Sequence, residues 1–132
     1  MMLILAISMV IGIVLTGGCA QTQTIKDVSP REASGLIQNN QNNPGFVIID
    51  VRTPPEFAEG YIENAVNIDF YSETFRDELN KLDKSQTYLI YCRTGGRSQN
   101  SARIMEELNF SKVYNILGGI IAWETAELPT VR

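Results

Sequence analysis

The sequence predicts a single α/β domain built on a mainly parallel sheet. Its 132 residues are enough for one domain with an N-terminal extension and leave no room for a second full core. Apolar residues make up 44% of the chain and charged residues 20%, which is ordinary globular composition. After residue 20, apolar β-branched segments alternate with amphipathic ones, as strands and helices do in parallel α/β domains. We therefore divide the chain into an N-terminal segment, residues 1–19, and a domain, residues 20–132.

The first elements of the domain have clear boundaries. Residues 24–28 are typical of a short edge strand. Ser29 is a predicted N-cap, Pro30 occupies the first helical position, and Glu32 lies three residues after the cap. A helix is expected from there to about residue 38. An Asn-rich loop then leads to residues 46–50, whose continuous apolar run predicts a buried strand.

The middle of the domain is less regular. We expect a short helix over residues 53–60 and a brief strand over residues 66–68. Over residues 71–81, apolar side chains recur at spacings of four and three, which predicts a helix with one buried face. Residues 87–91 predict another strand, and this strand delivers the chain to Cys92.

The last elements follow the same alternation. From Ser98 to Leu108, apolar residues recur at helical spacing, so a helix is expected to begin near Ser98. Residues 113–116 predict the last strand. A pair of glycines then turns the chain into a final short helix around Trp123.

The N-terminal segment is typical of an export signal. Residues 1–20 contain no charged side chain, and residues 3–15 form an apolar run broken only by Ser8 and Gly12. A membrane-spanning helix needs about 20 apolar residues, whereas a run of this length matches the apolar core of a signal peptide. We expect an exported protein, periplasmic or attached to the outer side of the cytoplasmic membrane.

Residues 15–20 resemble the lipobox of prokaryotic lipoproteins, in which the signal is cut before a cysteine that then carries lipid. That cysteine would be Cys19, and its lipid would hold the protein at the membrane. The segment departs from the pattern because Leu15 lies one position too early and because no Lys or Arg precedes the apolar run. An uncleaved anchor helix and a signal peptide cut elsewhere are the alternatives.

The chain has two cysteines. If Cys19 is lipidated, Cys92 has no partner within the chain. Exported domains of this size that use cysteine for stability carry it in even numbers, so Cys92 is better interpreted as reactive. The alternative is that Cys92 is a small buried apolar residue, as many free cysteines are.

A loop rich in glycine and arginine follows Cys92, between a predicted strand and a predicted helix. Ligand sites in open α/β sheets lie at the carboxyl ends of strands. Glycines let backbone N–H groups turn toward an anion, and the following helix start and the arginines add positive charge. These conditions lower the pKa of a thiol. The candidate site residues are Cys92, Arg93, Thr94, Gly95, Gly96, Arg97 and Ser98.

Several site types are excluded by composition. The chain has no histidine, so a Cys-His dyad and a Ser-His-Asp triad cannot form, and zinc lacks its usual ligands. No metal or other cofactor is expected. The net charge is −4 without a run of Lys or Arg, so nucleic acid is not an expected partner. The loop also lacks the Lys and Ser/Thr pair of a Walker phosphate site.

Three ordered motifs resemble the rhodanese-like sulfurtransferases. The loop resembles their single-domain active-site form, C-R-x-G-x-R-[ST]. Residues 50–68 resemble the family pattern D-V-R-x-x-x-E-[FY]-x-x-G-H-I-x-G-A-x-[NH]-[IL]. Residues 118–123 with Leu128 and Pro129 resemble the closing G-G-x-x-A-W and L-P. The resemblance extends over about residues 24–130.

This resemblance implies a three-layer domain with a five-stranded parallel sheet flanked by helices. It also implies that the Cys92 thiolate takes sulfane sulfur from a small anionic donor, thiosulfate or a persulfide. Loop N–H groups would hold the resulting Cys92 persulfide, and a thiol or thioredoxin-like acceptor would remove the outer sulfur.

Among the charged residues of the motifs, Arg93 is the candidate for guiding the anionic donor. Arg97 either shares that role or braces the loop through Asp50 or Glu56. The residues expected to support the fold are Asp50, Arg52, Glu56 and Trp123.

The nearest enzymatic alternative is a phosphatase or arsenate reductase, but those enzymes use C-x5-R where this chain has C-x4-R. A persulfide carrier that serves a partner protein is a second alternative. The sequence hardly distinguishes such a carrier from an enzyme that turns over its donor. An inactive scaffold would typically lack the cysteine.

Three positions depart from the family pattern: Tyr61 replaces His, Asn64 replaces Gly, and Glu127 replaces Gly. We expect Asn64 to keep a left-handed turn and Tyr61 to change packing more than chemistry. A left-handed Glu127 would cost about 1 kcal/mol relative to Gly.

Overall fold

Five strands and five helices alternate along the chain in the computed structural model, which describes residues 23–132. The expectations for the N-terminal segment, including the lipid on Cys19, lie outside the described residues. The strands are β1 (Ile25–Val28), β2 (Phe46–Asp50), β3 (Val66–Asn67), β4 (Thr87–Tyr91) and β5 (Lys112–Ile116). The helices are α1 (Pro30–Asn39), α2 (Pro54–Glu59), α3 (Phe75–Asn80), α4 (Gly96–Glu107) and α5 (Gly119–Thr125).

All neighbouring strands pair in parallel, in the order β1-β5-β4-β2-β3. The predicted fold class, a five-stranded parallel sheet flanked by helices, is therefore confirmed. Strand β4 lies at the centre, where Ile90 is paired with Ile49 of β2 and Asn115 of β5. This position places the residue after β4 at the middle of the carboxyl edge of the sheet, where α/β domains bind ligands.

Apolar side chains cover both faces of the sheet. On one face, α3 and α4 bury Leu79, Ala102 and Met105, all fully shielded from solvent. On the other face, α1 and α5 bury Ala33 and Trp123. The central strand is apolar on both sides, which explains its continuous apolar sequence.

The start of α1 has the predicted capping box. The Ser29 hydroxyl accepts a hydrogen bond from the Glu32 N–H at 3.1 Å, and the Glu32 carboxylate accepts one from the Ser29 N–H at 2.8 Å. Two N–H groups that the helix cannot satisfy internally are thus bonded.

The predicted helix over residues 71–81 is wrong in its first turn, because α3 begins only at Phe75. Asp69 accepts a hydrogen bond from the N–H of Tyr71 at 2.9 Å, and Ser72 accepts one from the N–H of Thr74 at 3.3 Å. Short polar side chains that bond nearby backbone in this way favour turns over helix. The helix after the loop at Cys92 also differs from prediction, since it begins at Gly96 and not at Ser98. Among the helices of residues 23–132, none has both the length and the apolar character needed to cross a membrane.

Candidate active site

Cys92 is the first residue after the central strand β4, and it is 1% exposed. Three residues separate it from α4, so its sulfur lies beside the start of that helix. The structure therefore brings the seven predicted loop residues to the carboxyl edge of the sheet. Cys92 to Gly95 form the loop itself, while Gly96, Arg97 and Ser98 form the first turn of α4.

Two groups donate hydrogen bonds to the Cys92 sulfur. The N–H of Gly95 lies 3.0 Å from Sγ, and the Ser98 hydroxyl oxygen lies 3.4 Å from it. The same hydroxyl is 3.2 Å from the carbonyl oxygen of Gly95. A hydroxyl has one proton, and an anionic acceptor forms the stronger bond, so ionisation of the thiol draws that proton to the sulfur.

These contacts set the acidity of the thiol. Burial opposes ionisation of Cys92, but hydrogen bonds from the Ser98 hydroxyl and from the N–H groups of Ser98, Gly95 and Thr94 outweigh it. The pKa of Cys92 is therefore lowered from its ordinary value. A lowered pKa increases the share of the nucleophilic thiolate at a given pH.

Gly95 shapes the loop so that its N–H groups face the sulfur. Its φ of +112° is in the region that favours glycine, and it forms the N-cap of α4 without a side-chain capping bond. The first N–H groups of a helix have no internal partner. Here they remain available to an anion at the Cys92 sulfur, and the partial positive charge of the helix start favours the same anion.

Arg97 does not point its cation at a free site, because it forms a two-point ion pair with Glu56. Its Nη1 and Nη2 donate to Oε1 and Oε2 of Glu56 at 2.7 and 2.9 Å. Hydrogen bonding from Arg97, against opposing burial, lowers the pKa of Glu56 to about 2. Of the two partners considered for a bracing Arg97, Asp50 and Glu56, the structure pairs it with Glu56. Its part in guiding the donor stays a prediction.

Asp50 pairs instead with Arg52, at the carboxyl end of β2. Arg52 Nη2 donates to Asp50 Oδ2 and to the carbonyl oxygen of Gly60, both at 2.6 Å. Asp50 is fully buried and Arg52 is 5% exposed. The pair joins the end of β2 to the turn after α2, so it supports the segment that carries Glu56.

Arg93 and Thr94 are exposed on the loop. Within residues 23–132, no carboxylate lies within salt-bridge distance of Arg93. Arg93 thus differs from Arg97, whose charge is balanced by Glu56.

The backbone of α5 holds the loop from the other side. The N–H of Ile120 donates to the carbonyl oxygen of Cys92 at 2.9 Å, and that of Ile121 donates to Arg93 at 3.2 Å. Gly119 has a φ of +59°, and a Cβ there would lie 2.5 Å from the Cys92 and Arg93 carbonyl oxygens. Only glycine permits this approach.

Trp123 serves the fold and does not reach the loop through hydrogen bonds. It is 3% exposed, and its Nε1 donates to the carbonyl oxygen of Pro129 at 2.9 Å. This bond fixes the segment after α5 against the helix.

Two contributions to the site were missed by sequence reasoning. The ring of Tyr71 lies 5.6 Å from Arg97 Cζ and is 66% exposed, but the sequence placed Tyr71 inside a helix. The glycine pair Gly118 and Gly119 lies at the predicted turn and also contacts the loop. Adjacent glycines that follow a strand after a single residue are the available signal for a close backbone approach.

The three departures from the family pattern are accommodated locally. Asn64 and Glu127 have positive φ values of 69° and 59°. The ring of Tyr61 stacks on Phe57 with centroids 4.0 Å apart. None of the three contacts the Cys92 sulfur, in agreement with the expected effects on packing. Within residues 23–132, no three His, Cys, Asp or Glu side chains gather closely enough to hold a metal ion.

Comparison with known proteins gives consistent matches. The model of the rhodanese-like domain family matches residues 30–126. A sulfurtransferase of Allochromatium vinosum is 31% identical over 104 residues, covering 79% of this chain and 95% of the relative. The thiosulfate sulfurtransferase GlpE of Actinobacillus pleuropneumoniae is 28% identical over 108 residues, covering 82% of this chain and 94% of the relative.

A solved structure agrees with these sequence matches. The rhodanese-like domain protein of Staphylococcus aureus superposes with a TM-score of 0.61 at 33% identity. The superposition covers 74% of this chain and 90% of that protein. Family model, relatives and fold agree over the described domain, and the chain belongs to the rhodanese-like domain family.

Proposed function

We propose that the protein is a sulfurtransferase that moves sulfane sulfur from an anionic donor to a thiophilic acceptor through a persulfide on Cys92. The main support is the buried Cys92 sulfur, which accepts hydrogen bonds from the Gly95 N–H and the Ser98 hydroxyl at the start of α4. Relatives named sulfurtransferases, at 28% and 31% identity, support sulfur transfer. The name of GlpE supports thiosulfate as the donor to test first.

In the loading step, the Cys92 thiolate attacks the outer sulfur of thiosulfate. The new bond joins Sγ to that sulfur, and the S–S bond of thiosulfate breaks with its electron pair on departing sulfite. A persulfide anion remains on Cys92. Charge is conserved, since a thiolate and a dianion become a persulfide anion and a dianion.

The loop is suited to hold this persulfide. The N–H groups of the loop and of the α4 start are preorganised donors around an anion in a partly water-excluded site. A single sulfur atom is smaller than a tetrahedral phosphate, which fits the short C-x4-R loop.

In the discharge step, an acceptor nucleophile attacks the outer sulfur of the persulfide, and the Sγ–S bond breaks with its electron pair on Cys92. Cyanide leaves as thiocyanate, and a protein thiol or small thiol becomes a persulfide. The thiolate is then ready for another donor. Arg93, whose charge no carboxylate of residues 23–132 balances, attracts the anionic donor.

The test is intact mass spectrometry of the purified protein after thiosulfate treatment. A one-sulfur adduct on the wild type that Cys92→Ser removes, and that Cys19→Ser retains, is the expected result. Thiocyanate formation on addition of cyanide should follow the same pattern. Phosphate release from a phosphate ester without any sulfur adduct would reject sulfur transfer. Loading by a persulfide donor but not by thiosulfate would instead identify a carrier.

We also propose that the protein is exported and anchored by a lipid on Cys19. The support is the uncharged apolar segment of residues 1–18 and its lipobox-like end. Incorporation of radiolabelled palmitate in cells, lost in Cys19→Ser and kept in Cys92→Ser, is the expected result. Equal labelling of both variants would reject lipidation at Cys19.

A further inference from the structure

A groove of about 720 Å³ lies between α1 and α5 and reaches the catalytic loop at Thr94. The groove is shallow and open to solvent, so it does not enclose a ligand. Arg31 lines it near the start of α1, and Ile121 and Thr125 line it from α5. Most of the remaining lining is apolar. The groove therefore offers an apolar surface that begins two residues from Cys92.

The wall of the groove is fixed to the loop. The N–H of Ile121 donates to the carbonyl oxygen of Arg93 at 3.2 Å. A Cβ added at Gly95 would lie 3.5 Å from the backbone nitrogen of Gly118, so the two backbones are close together. A ligand in the groove would thus be held at a defined position relative to the Cys92 sulfur.

The charge of the groove is positive. Arg31 is the one charged residue among the described residues that line it. Its guanidinium donates to the carbonyl oxygen of Ala126 at 3.4 Å, and within residues 23–132 no carboxylate lies within salt-bridge distance. The neighbouring Glu32 is engaged with the Ser29 N–H. An apolar groove with an unbalanced cation is complementary to an apolar segment that carries a carboxylate.

The surroundings favour a protein as the source of that segment. Tyr71, Leu117 and Ile121 are 66%, 50% and 42% exposed. Tyr71 lies against Arg97, Leu117 follows β5, and Ile121 is bonded to the loop, so all three are at the catalytic edge. Exposed apolar side chains at this edge would be removed from water by a protein partner seated there.

The burial of Cys92 limits the shape of an acceptor. Because Cys92 is 1% exposed, its persulfide is recessed, and an acceptor thiol has to enter the loop to reach the outer sulfur. An extended segment that projects its cysteine can do so.

We propose that this groove is the acceptor subsite, and that it binds an extended segment of a partner protein in which an apolar side chain and a carboxylate neighbour the accepting cysteine. The inference rests on the proposed sulfur transfer and specifies its acceptor. In the step it serves, the acceptor thiolate attacks the outer sulfur of the Cys92 persulfide. The Sγ–S bond breaks and its electron pair returns to Cys92. The proton of the acceptor thiol passes to solvent before the attack.

Binding is measured first, without any sulfur chemistry, on the full-length protein in detergent. The probes are two fluorescein-labelled peptides that carry serine in place of the cysteine, one with leucine and two glutamates, the other with leucine and two lysines. Fluorescence anisotropy should show about fivefold tighter binding of the acidic peptide, the effect of about 1 kcal/mol from a charge pair. Arg31→Glu should reverse the preference, and Thr125→Trp should weaken binding of both peptides by filling the groove.

The control is Arg103→Glu, which makes the same charge change at an exposed position of α4 outside the groove. It should keep the preference for the acidic peptide. Equal binding of the two peptides by the wild type, or the same preference in Arg31→Glu, would overturn the proposal. If Thr125→Trp does not fold, the peptide preference of Arg31→Glu alone decides whether the groove binds the acceptor segment.

Transfer is measured second, with the cysteine forms of both peptides and protein loaded by thiosulfate. The acidic peptide should acquire sulfur faster than the basic one, and Arg31→Glu should reverse the order. Absence of a Cys92 adduct after thiosulfate would reject the proposed donor, while the anisotropy result would still decide the acceptor groove. The two proposals are thus separable.

Discussion

Arg97 and Glu56 are 41 positions apart in sequence, yet their side chains share two parallel hydrogen bonds of 2.7 and 2.9 Å. The pair joins the first turn of α4 to the start of α2. Side-chain exposures of 17% and 24% leave it partly shielded from water. Two-point geometry of this kind is specific to arginine.

We expect Arg97→Lys to lower the free energy of unfolding by about 1–2 kcal/mol, because lysine keeps the charge but loses one of two charge-assisted bonds. Urea denaturation measures this. The matched control, Arg103→Lys, changes an exposed arginine on the same helix and should stay within about 0.5 kcal/mol of the wild type. Equal effects of the two substitutions would contradict a bracing role for Arg97.

The pKa of Glu56 predicts a pH dependence of stability. Since folding lowers this pKa from 4.5 to about 2, the contribution of Glu56 is fully present above pH 4.5 and is lost as the pH falls toward 2. The difference in unfolding free energy between the wild type and Glu56→Gln should therefore shrink over that range. Urea titrations at several pH values check this, and a difference that grows with acidity would refute it.

Removal of the Ser98 hydroxyl should raise the pKa of Cys92, because a hydrogen bond to the thiolate is lost while burial remains. In Ser98→Ala, the pH profile of iodoacetamide alkylation should move to higher pH. The alkylation rate at neutral pH should fall accordingly. Ser101→Ala removes a buried hydroxyl one turn further on, which bonds Arg97 and not the sulfur, and should leave the profile in place.

Gly119→Ala should displace the catalytic loop, because its Cβ would meet the Cys92 and Arg93 carbonyl groups at 2.5 Å. We expect a loss of about 3 kcal/mol in unfolding stability from strain and overpacking. Loading by thiosulfate should fall as well. Gly96→Ala is the control, since a Cβ there meets nothing within 4 Å. A stable, fully active Gly119→Ala would show that α5 does not constrain the loop.

Glu127→Gly should stabilise the protein by about 0.5–1 kcal/mol, because Glu127 has a φ of +59° that glycine adopts without strain. Thermal unfolding measures the change. Asn64→Gly, at a φ of +69°, should give a smaller gain because Asn tolerates this conformation better. If Glu127→Gly lowers the stability instead, the left-handed backbone at Glu127 is not a source of strain.

Local sequence signals predicted much of the fold. The bounds of β2 and β4 were predicted correctly because each is a continuous apolar run between loops. The start of α1 was predicted because its capping box is encoded within four residues. The start of α3 was missed because periodicity alone does not show that Asp69 and Ser72 bond the backbone of a turn.

The site was predictable in its residues and less so in its contacts. Composition and loop spacing pointed to Cys92 and its positive surroundings. The choice of Glu56 over Asp50 as the partner of Arg97 depends on where α2 lies relative to the start of α4 in the folded domain. No local pattern fixes such a distance, and the same holds for Tyr71 beside Arg97.

The bonds from Ile120 and Ile121 to the carbonyl groups of Cys92 and Arg93 also set an order of events during synthesis. The loop leaves the ribosome before these residues do, since it precedes them in the chain. Its thiol therefore spends that interval without the backbone contacts of α5, and the site reaches its final shape only when α5 has emerged and docked.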